Sequence, residues 1–301
     1  GIQGLAQAEV AYQNAVLYAM DRRQGRALTG AAEPDKPADT LFVHPDIRRM
    51  LMESKALTEG LRALCLWGAL QVDLSHLAPT EEERVAADDL ISLLTPVIKG
   101  YGTDKGFDVT VLAQQVFGGH GYVQEWGVEQ HVRDCRITMI YEGANGVQAM
   151  DLVGRKLPKD GGRAVQAFFK LVGEEIALGK ADAATSDVAE ALEKALQQLQ
   201  AASLWLMQNA MTNPNNAGAA AYAYMHIMGI VAVGLMWLKM ARAAQAQLNA
   251  GTGNADYLKA KLVTARYFAE RIMPDAGALR RKIEGGSEVL MALPAEAFLT
   301  A

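Results

Sequence analysis

Apolar residues recur at helical steps along almost the whole chain, a pattern that leaves little room for a sheet. Leu5, Ala8, Tyr12, Ala15 and Ala19 follow at intervals of three and four, one face of a helix that should end near Gly25. Pro34 and Pro37, among small and acidic residues, make 30–44 a loop. Pro45 suits a first helical turn, and Ile47, Met50, Leu51, Leu57, Leu61 and Leu64 carry a stripe toward Leu74. Thr80 and Glu83 have the spacing of a capping box. Thr95-Pro96 reads as the next cap and first turn, of a helix that Gly118-Gly119 stops after Phe117, although Gly100, Gly102 and Gly106 weaken it. Ile137 to Tyr141 is the one run with strand character, and with no partner run it reads as a short connector. A helix over about 145–156 follows, then a boundary at Pro158 and Gly161-Gly162. Helices near 163–179, 186–210, 217–249 and 255–272 make a second, antiparallel bundle. The expected fold is all-α, with one helical bundle over residues 1–156 and a second over 163–301.

Composition excludes several classes. Half of the 301 residues are apolar and 21% are charged, which is globular rather than disordered. The net charge of −5 argues against a nucleic-acid partner, and no metal-ligand spacing links the five histidines and two cysteines. Cys65 and Cys135 show no CxxC pattern, and with no leader segment the expected compartment is the reducing cytoplasm. Ala217 to Leu238 is uncharged and long enough for a membrane span, but it is rich in Ala and Gly and holds His226, so a helix buried in protein is expected instead.

Three segments carry residue types that chemistry could use. Gly118, Gly119 and Gly121 at a helix end let a backbone approach a flat or phosphorylated ligand, or simply stop the helix; the G-x-G-x-x-G dinucleotide pattern fails at Gln124. Glu142 follows an apolar run, and a carboxylate among apolar neighbours is pushed toward a general base's pKa; the alternative is a helix-start cap. Arg22 and Arg23 could fork onto a phosphate pair or complement a helix C-terminus.

Taken together, these segments resemble the C-terminal helical domain of the acyl-CoA dehydrogenase family over residues 1 to about 156. The likeness rests on Gln115-Val116-Phe117-Gly118-Gly119-His120-Gly121-Tyr122, then Glu125, Val128-Glu129, Arg133-Asp134, Ile137 and Ile140-Tyr141-Glu142-Gly143, in the family's order and spacing. Tyr18-Ala19 with Arg22 and Gln24 resembles the family's second mark. The remaining bundle, ending in Met291-Ala292-Leu293-Pro294, is similar to the extension of the long members, among them the 3-methylmercaptopropionyl-CoA dehydrogenases. The resemblance implies that Glu142 is the base removing the α-proton of an acyl-CoA thioester, with the β-hydrogen leaving as hydride to FAD. It implies FAD contacts at Arg22, Gln24, Gln115, Gly118, Gly119, Ala144 and Gly146, those near the pyrophosphate reaching a neighbouring subunit's cofactor, and an acyl-thioester pocket at Tyr141 and Gly143.

Three positions depart from the family pattern: Ala144 where Thr is common, Gly146 where Gln is, and Gly25 where Phe is. Asn145 is a candidate to replace the missing hydroxyl. The chain is expected to be the C-terminal half of a longer flavoenzyme, without the N-terminal helical and middle β domains, and inactive alone. Its implied partners are an acyl-CoA, an electron-transfer flavoprotein or similar acceptor, and further copies in a dimer or tetramer. Two alternatives stay open at this level: a helical assembly module without catalysis, and a related acyl-CoA oxidase.

Overall fold

The computed structural model describes residues 1–299. Among them lie ten α-helices and no strand: α1 (Ile2–Asp21), α2 (Pro45–Leu77), α3 (Glu81–Phe117), α4 (Val128–Ile137), α5 (Asn145–Asp151), α6 (Arg163–Lys180), α7 (Ser186–Asn209), α8 (Pro214–Asn249), α9 (Ala255–Arg271) and α10 (Asp275–Glu284). The all-α expectation therefore holds. The helices fall into two compact units: Gly1–Cys65 with Gly102–Glu142, and Leu66–Tyr101 with the chain from Gly143 onward.

In the first unit, α1 buries Ala8 and turns Ala11, Ala15 and Ala19 inward onto Met50, Leu51, Ala113, Val116 and Phe117. Small side chains permit close approach, and at the N-terminal end the backbones nearly touch. A Cβ added at Gly106 would stand 2.5 Å from Gly4 O. The roughly 1 kcal/mol that glycine costs a helix interior is here offset by that contact, so the glycines do not interrupt α3. Helix α1 ends at Asp21, earlier than the apolar pattern implies, because Arg22 turns extended and Arg23 pairs with Thr40 in an isolated antiparallel bridge.

Helix α3 also corrects the expected break at Thr95-Pro96. The Thr80 hydroxyl accepts the Glu83 N–H at 3.2 Å while the Glu83 carboxylate accepts the Thr80 N–H at 3.1 Å, so the helix starts at the capping box and continues through Pro96. One lost backbone hydrogen bond is outweighed by packing, since Leu93, Leu94 and Val97 around it are fully buried.

The second unit is built around α8, on which α5, α6, α7, α9 and α10 pack. Asn213 caps α8, its side chain accepting the Asn215 N–H at 3.0 Å, and Pro214 occupies the first turn, so the helix begins earlier than expected. By length and composition α8 could cross a membrane, but 78% of its most apolar window is buried within the protein. Helix α10 is absent from the sequence reading; it is short, carries Gly277 and buries only Ala276 and Ile283 fully.

A buried carboxylate ties α6 to α8. Glu175 is 5% exposed and accepts from Lys239 at 2.9 Å and from Arg242. Burial alone would push it up, but the hydrogen bonds from the two cations outweigh burial and hold it below its ordinary value. Its contribution is complete above the ordinary glutamate range and is lost as pH falls through the depressed value. Glu175→Ala should lower stability by about 2 kcal/mol at pH 7, and the gap to the parent protein in urea titrations should narrow below about pH 4. A gap that widens in acid would contradict this account.

Candidate active site

Three arginines follow α1, and their side chains have different fates. Arg23 forks onto the Glu33 carboxylate and donates to Ala38 O at 3.0 Å. Arg26 donates to the carbonyls of Glu33 and Lys36 at 3.0 and 2.6 Å. Arg22 is exposed, and among the described residues its guanidinium makes no hydrogen bond or ion pair, so its charge is open to an anion. Only its backbone is engaged, donating to Tyr18 O and accepting from Leu41 N, both at 2.8 Å. Gln24 is held the same way, with its N–H 2.9 Å from Asp39 O and its side chain exposed.

Asp39 organises this loop. Its carboxylate, 0% exposed, accepts the N–H groups of Ala27 at 2.9 Å, Glu33 at 2.9 Å and Ala32 at 3.1 Å, and lies 3.3 Å from the Arg26 guanidinium. These donors, the Ala27 amide foremost, hold it well below the usual carboxylate range.

The end of α3 lies against the last turns of α1. Tyr18 stacks on Phe117 with ring centroids 4.1 Å apart, its hydroxyl hydrogen-bonds His120 Nδ1 at 2.8 Å, and His120 stacks on Trp126 at 4.5 Å. Gln115, Gly118 and Gly119 are exposed, and a Cβ at either glycine would meet nothing within 4 Å. Arg22 and the Gly118-Gly119 turn are thus presented at one end of the unit, beside open space.

Tyr141 and Glu142 lie at the other end. After α4 the chain makes successive turns, with Ile140 N and Tyr141 N both donating to Ile137 O, so the strand-like run is a connector, as expected. The Tyr141 hydroxyl donates to Gln3, in the first turn of α1. Nineteen residues of helix at 1.5 Å each separate Gln3 from Arg22, about 28 Å. Glu142 is exposed rather than enclosed by apolar neighbours, which corrects the environment expected from the sequence. Its backbone is left-handed, with φ 52°, and Gly143 follows at φ 86°. For a residue with a Cβ that conformation costs about 1–2 kcal/mol, so the surrounding turn must hold it.

In the second unit, Gly143 O accepts Lys99 Nζ at 2.7 Å. Asn145 is buried, accepts Lys99 Nζ at 2.6 Å and donates to Gly100 O at 3.1 Å. Its amide is committed to the protein interior, which removes it as the substitute for the missing hydroxyl at Ala144. Ala144 and Gly146 are exposed at the start of α5. Lys99 has no signature in the sequence, standing 46 positions from Asn145 with nothing local to mark it.

Two clefts lie apart from the residues expected to hold cofactor and substrate. One of about 440 Å³ in the first unit is lined by Tyr18, Asp21, Trp126 and His131 among others, and an apolar one of about 350 Å³ in the second by Leu74, Leu90 and Phe168. The first borders the motif residues Tyr18, Phe117 and Val128, but neither includes Arg22, Gln24, Gln115, Gly118, Gly119 or Glu142. Cys135 is buried on α4, and burial pushes its thiol up to about 11, so it stays protonated at neutral pH.

Comparison with known proteins gives the family. The family model for the acyl-CoA dehydrogenase C-terminal domain matches residues 1–157. The chain belongs to the acyl-CoA dehydrogenase family. A second family model, "Acetyl-CoA dehydrogenase C-terminal like", matches residues 165–294. Over 292 residues, 97% of this chain and 49% of the relative, the chain is 38% identical to 3-methylmercaptopropionyl-CoA dehydrogenase of Ruegeria pomeroyi. It is 32% identical to the broad-specificity linear acyl-CoA dehydrogenase FadE5 of Mycobacterium tuberculosis, over 99% of this chain and 50% of that one. The chain spans about half the length of the curated relatives it matches. Among solved structures, Caenorhabditis elegans ACDH-11 in complex with C11-CoA superposes with a TM-score of 0.73 at 18% identity, over 95% of this chain and 45% of that chain. An acyl-CoA dehydrogenase complexed with FAD from Bacillus anthracis superposes at 0.70 with 16% identity, over 93% and 47%. These two likenesses share the family's helical fold.

Proposed function

We propose that this chain forms the C-terminal half of an FAD-dependent acyl-CoA dehydrogenase acting in the cytoplasm, with Glu142 as the base that takes the α-proton of an acyl-CoA thioester. FAD, when bound, supplies the acceptor for the β-hydrogen as hydride. On this reading the backbone N–H of Glu142 helps hold the thioester oxygen as charge develops on it, and Tyr141 and Gly143 border the acyl-thioester. Gln24, Ala144 and Gly146 line the cofactor with Arg22, Gln115, Gly118 and Gly119. Electrons then pass to an electron-transfer flavoprotein or a similar acceptor.

The observation that carries this reading is the roughly 28 Å of α1 between Gln3, bonded to Tyr141, and Arg22. Two groups so far apart serve one reaction most simply if Arg22 and the Gly118-Gly119 turn reach the FAD of a second subunit while Glu142 works at its own, in a homo-oligomer. The unengaged guanidinium and the open space over both glycines suit a pyrophosphate. Both curated relatives above are named dehydrogenases, which favours that activity over an oxidase.

The full-length protein should purify yellow and bleach at the flavin band when a saturated acyl-CoA is added without oxygen. A colourless protein, or flavin untouched by short, medium and long chains, would remove the proposal. In the same protein Arg22→Ala should weaken FAD retention at least tenfold, as read by flavin fluorescence on dilution, because a charge-assisted contact to phosphate is lost. Arg23→Ala should act instead on the stability of the loop.

A further inference from the structure

We infer that Lys99 is a positioning residue for Glu142, holding the peptide carbonyl directly after the base and so fixing the turn that carries it. The inference rests on the reading of Glu142 as the proton acceptor. Lys99 is half-buried on α3, and an ammonium offers three donors and no acceptor. Two of them meet the segment after Glu142, at Gly143 O (2.7 Å) and Asn145 Oδ1 (2.6 Å). Asn145 then donates back to Gly100 O at 3.1 Å, beside Lys99 itself. Three hydrogen bonds thus close a ring between one turn of α3 and residues 143–145.

The ring matters because of what lies just before it. Glu142 and Gly143 are consecutive left-handed residues, and relaxation of either swings the Glu142 side chain through space. A bond on Gly143 O resists that relaxation from the C-terminal side. The Gly143 peptide also has little slack elsewhere, since a Cβ at that residue would stand 2.5 Å from the Gln148 amide. A general base must lie within hydrogen-bond reach of the proton it takes, and displacement by about 1 Å can cost a hundredfold in rate. The ammonium therefore serves the rate without touching the substrate.

The test uses the full-length flavoprotein with Lys99→Met, Lys99→Arg, Asn145→Ala and Glu142→Gln assayed side by side by anaerobic stopped-flow. Lys99→Met should slow flavin reduction at saturating acyl-CoA at least about tenfold while the apparent Kd for acyl-CoA stays within about twofold. Lys99→Arg, which keeps charged donors, should recover most of the rate. Should Lys99→Met fail to fold, Asn145→Ala opens the same ring and should slow reduction about threefold or more. Amide hydrogen exchange over residues 143–147 should quicken in Lys99→Met, a readout independent of turnover. Parent-like reduction in Lys99→Met, in an assay where Glu142→Gln is slow, overturns the positioning role and leaves the base in place. Equal slowing of Lys99→Met and Lys99→Arg in step with a falling Tm overturns it in favour of a purely structural lysine. Parent-like reduction in Glu142→Gln removes the base itself, and this inference with it.

Discussion

Flavin reduction by acyl-CoA should slow at least about a hundredfold in the full-length protein carrying Glu142→Gln, the lower bound of what a positioned general base contributes. The amide keeps the size and the hydrogen-bonding capacity of the carboxylate but cannot take a proton at neutral pH, so the change separates acid-base chemistry from packing. Glu142 is exposed, and its left-handed backbone already carries a Cβ, so the substitution adds no strain and should leave Tm, FAD content and acyl-CoA binding near the parent values. Two other carboxylates provide controls. Glu125 is exposed on the Gln124–Trp126 turn and Glu129 pairs with Arg133 at 2.8 Å on α4, and neither change to Gln should alter reduction by more than a few fold. Near-normal reduction in Glu142→Gln would favour a helical module retained for assembly.

The largest effect on stability is expected at Gly229. A Cβ there would lie 2.3 Å from Cγ of Tyr101, and both the ring and Gly229 are buried. The ring has nowhere to move, because His226 stands edge-on to it at 5.4 Å and α8 is packed on its other sides by α7, α9 and α10. Gly229→Ala should therefore cost about 3 kcal/mol or prevent folding of the second unit, since overpacking against a rigid neighbour is not relieved by side-chain rotation. The same substitution one to two turns into α8, at Gly218, meets nothing within 4 Å and should raise stability by about 0.5–1 kcal/mol through helix propensity alone. Urea titration of the pair measures both signs in one helix. A destabilised Gly218→Ala with an unaffected Gly229→Ala would contradict the packing described for α8.

What the sequence made legible was local. The capping box at Thr80 and Glu83 depends on residues within one turn, so spacing reveals it, whereas the start of α8 at Pro214 lies three residues ahead of where the apolar pattern places it. The break placed at Thr95-Pro96 failed because proline's cost is set by what surrounds it, here three buried apolar neighbours that no local rule counts. Doubt about Gly106 had the same origin, since the backbone that fills its missing side chain is that of Gly4, about a hundred residues earlier on α1. At the candidate site, the motif order identified the family and the residues to examine. Apart from that resemblance, which marks Arg22, residue type alone could not separate Arg22 from Arg23, because the partner that occupies Arg23 is Glu33, reached only after the chain turns back. Nor could it show that Asn145 is spoken for, or that Lys99 is the residue claiming it.

The loop around Asp39 has one more consequence, for the entropy of binding. With three amides and a guanidinium converging on one carboxylate, residues 26–39 behave as a rigid knot rather than a flexible strap. Arg22 sits where that knot joins α1, its N–H fixed by the helix and its carbonyl fixed by Leu41. An anion captured there orders only the rotamers of one side chain, about 1–2 kcal/mol, and no backbone at all. Acid should undo this advantage only late, because the same donors keep Asp39 ionised to well below the usual carboxylate range, and only its protonation would free the loop and restore to the Arg22 backbone the disorder that binding must then remove.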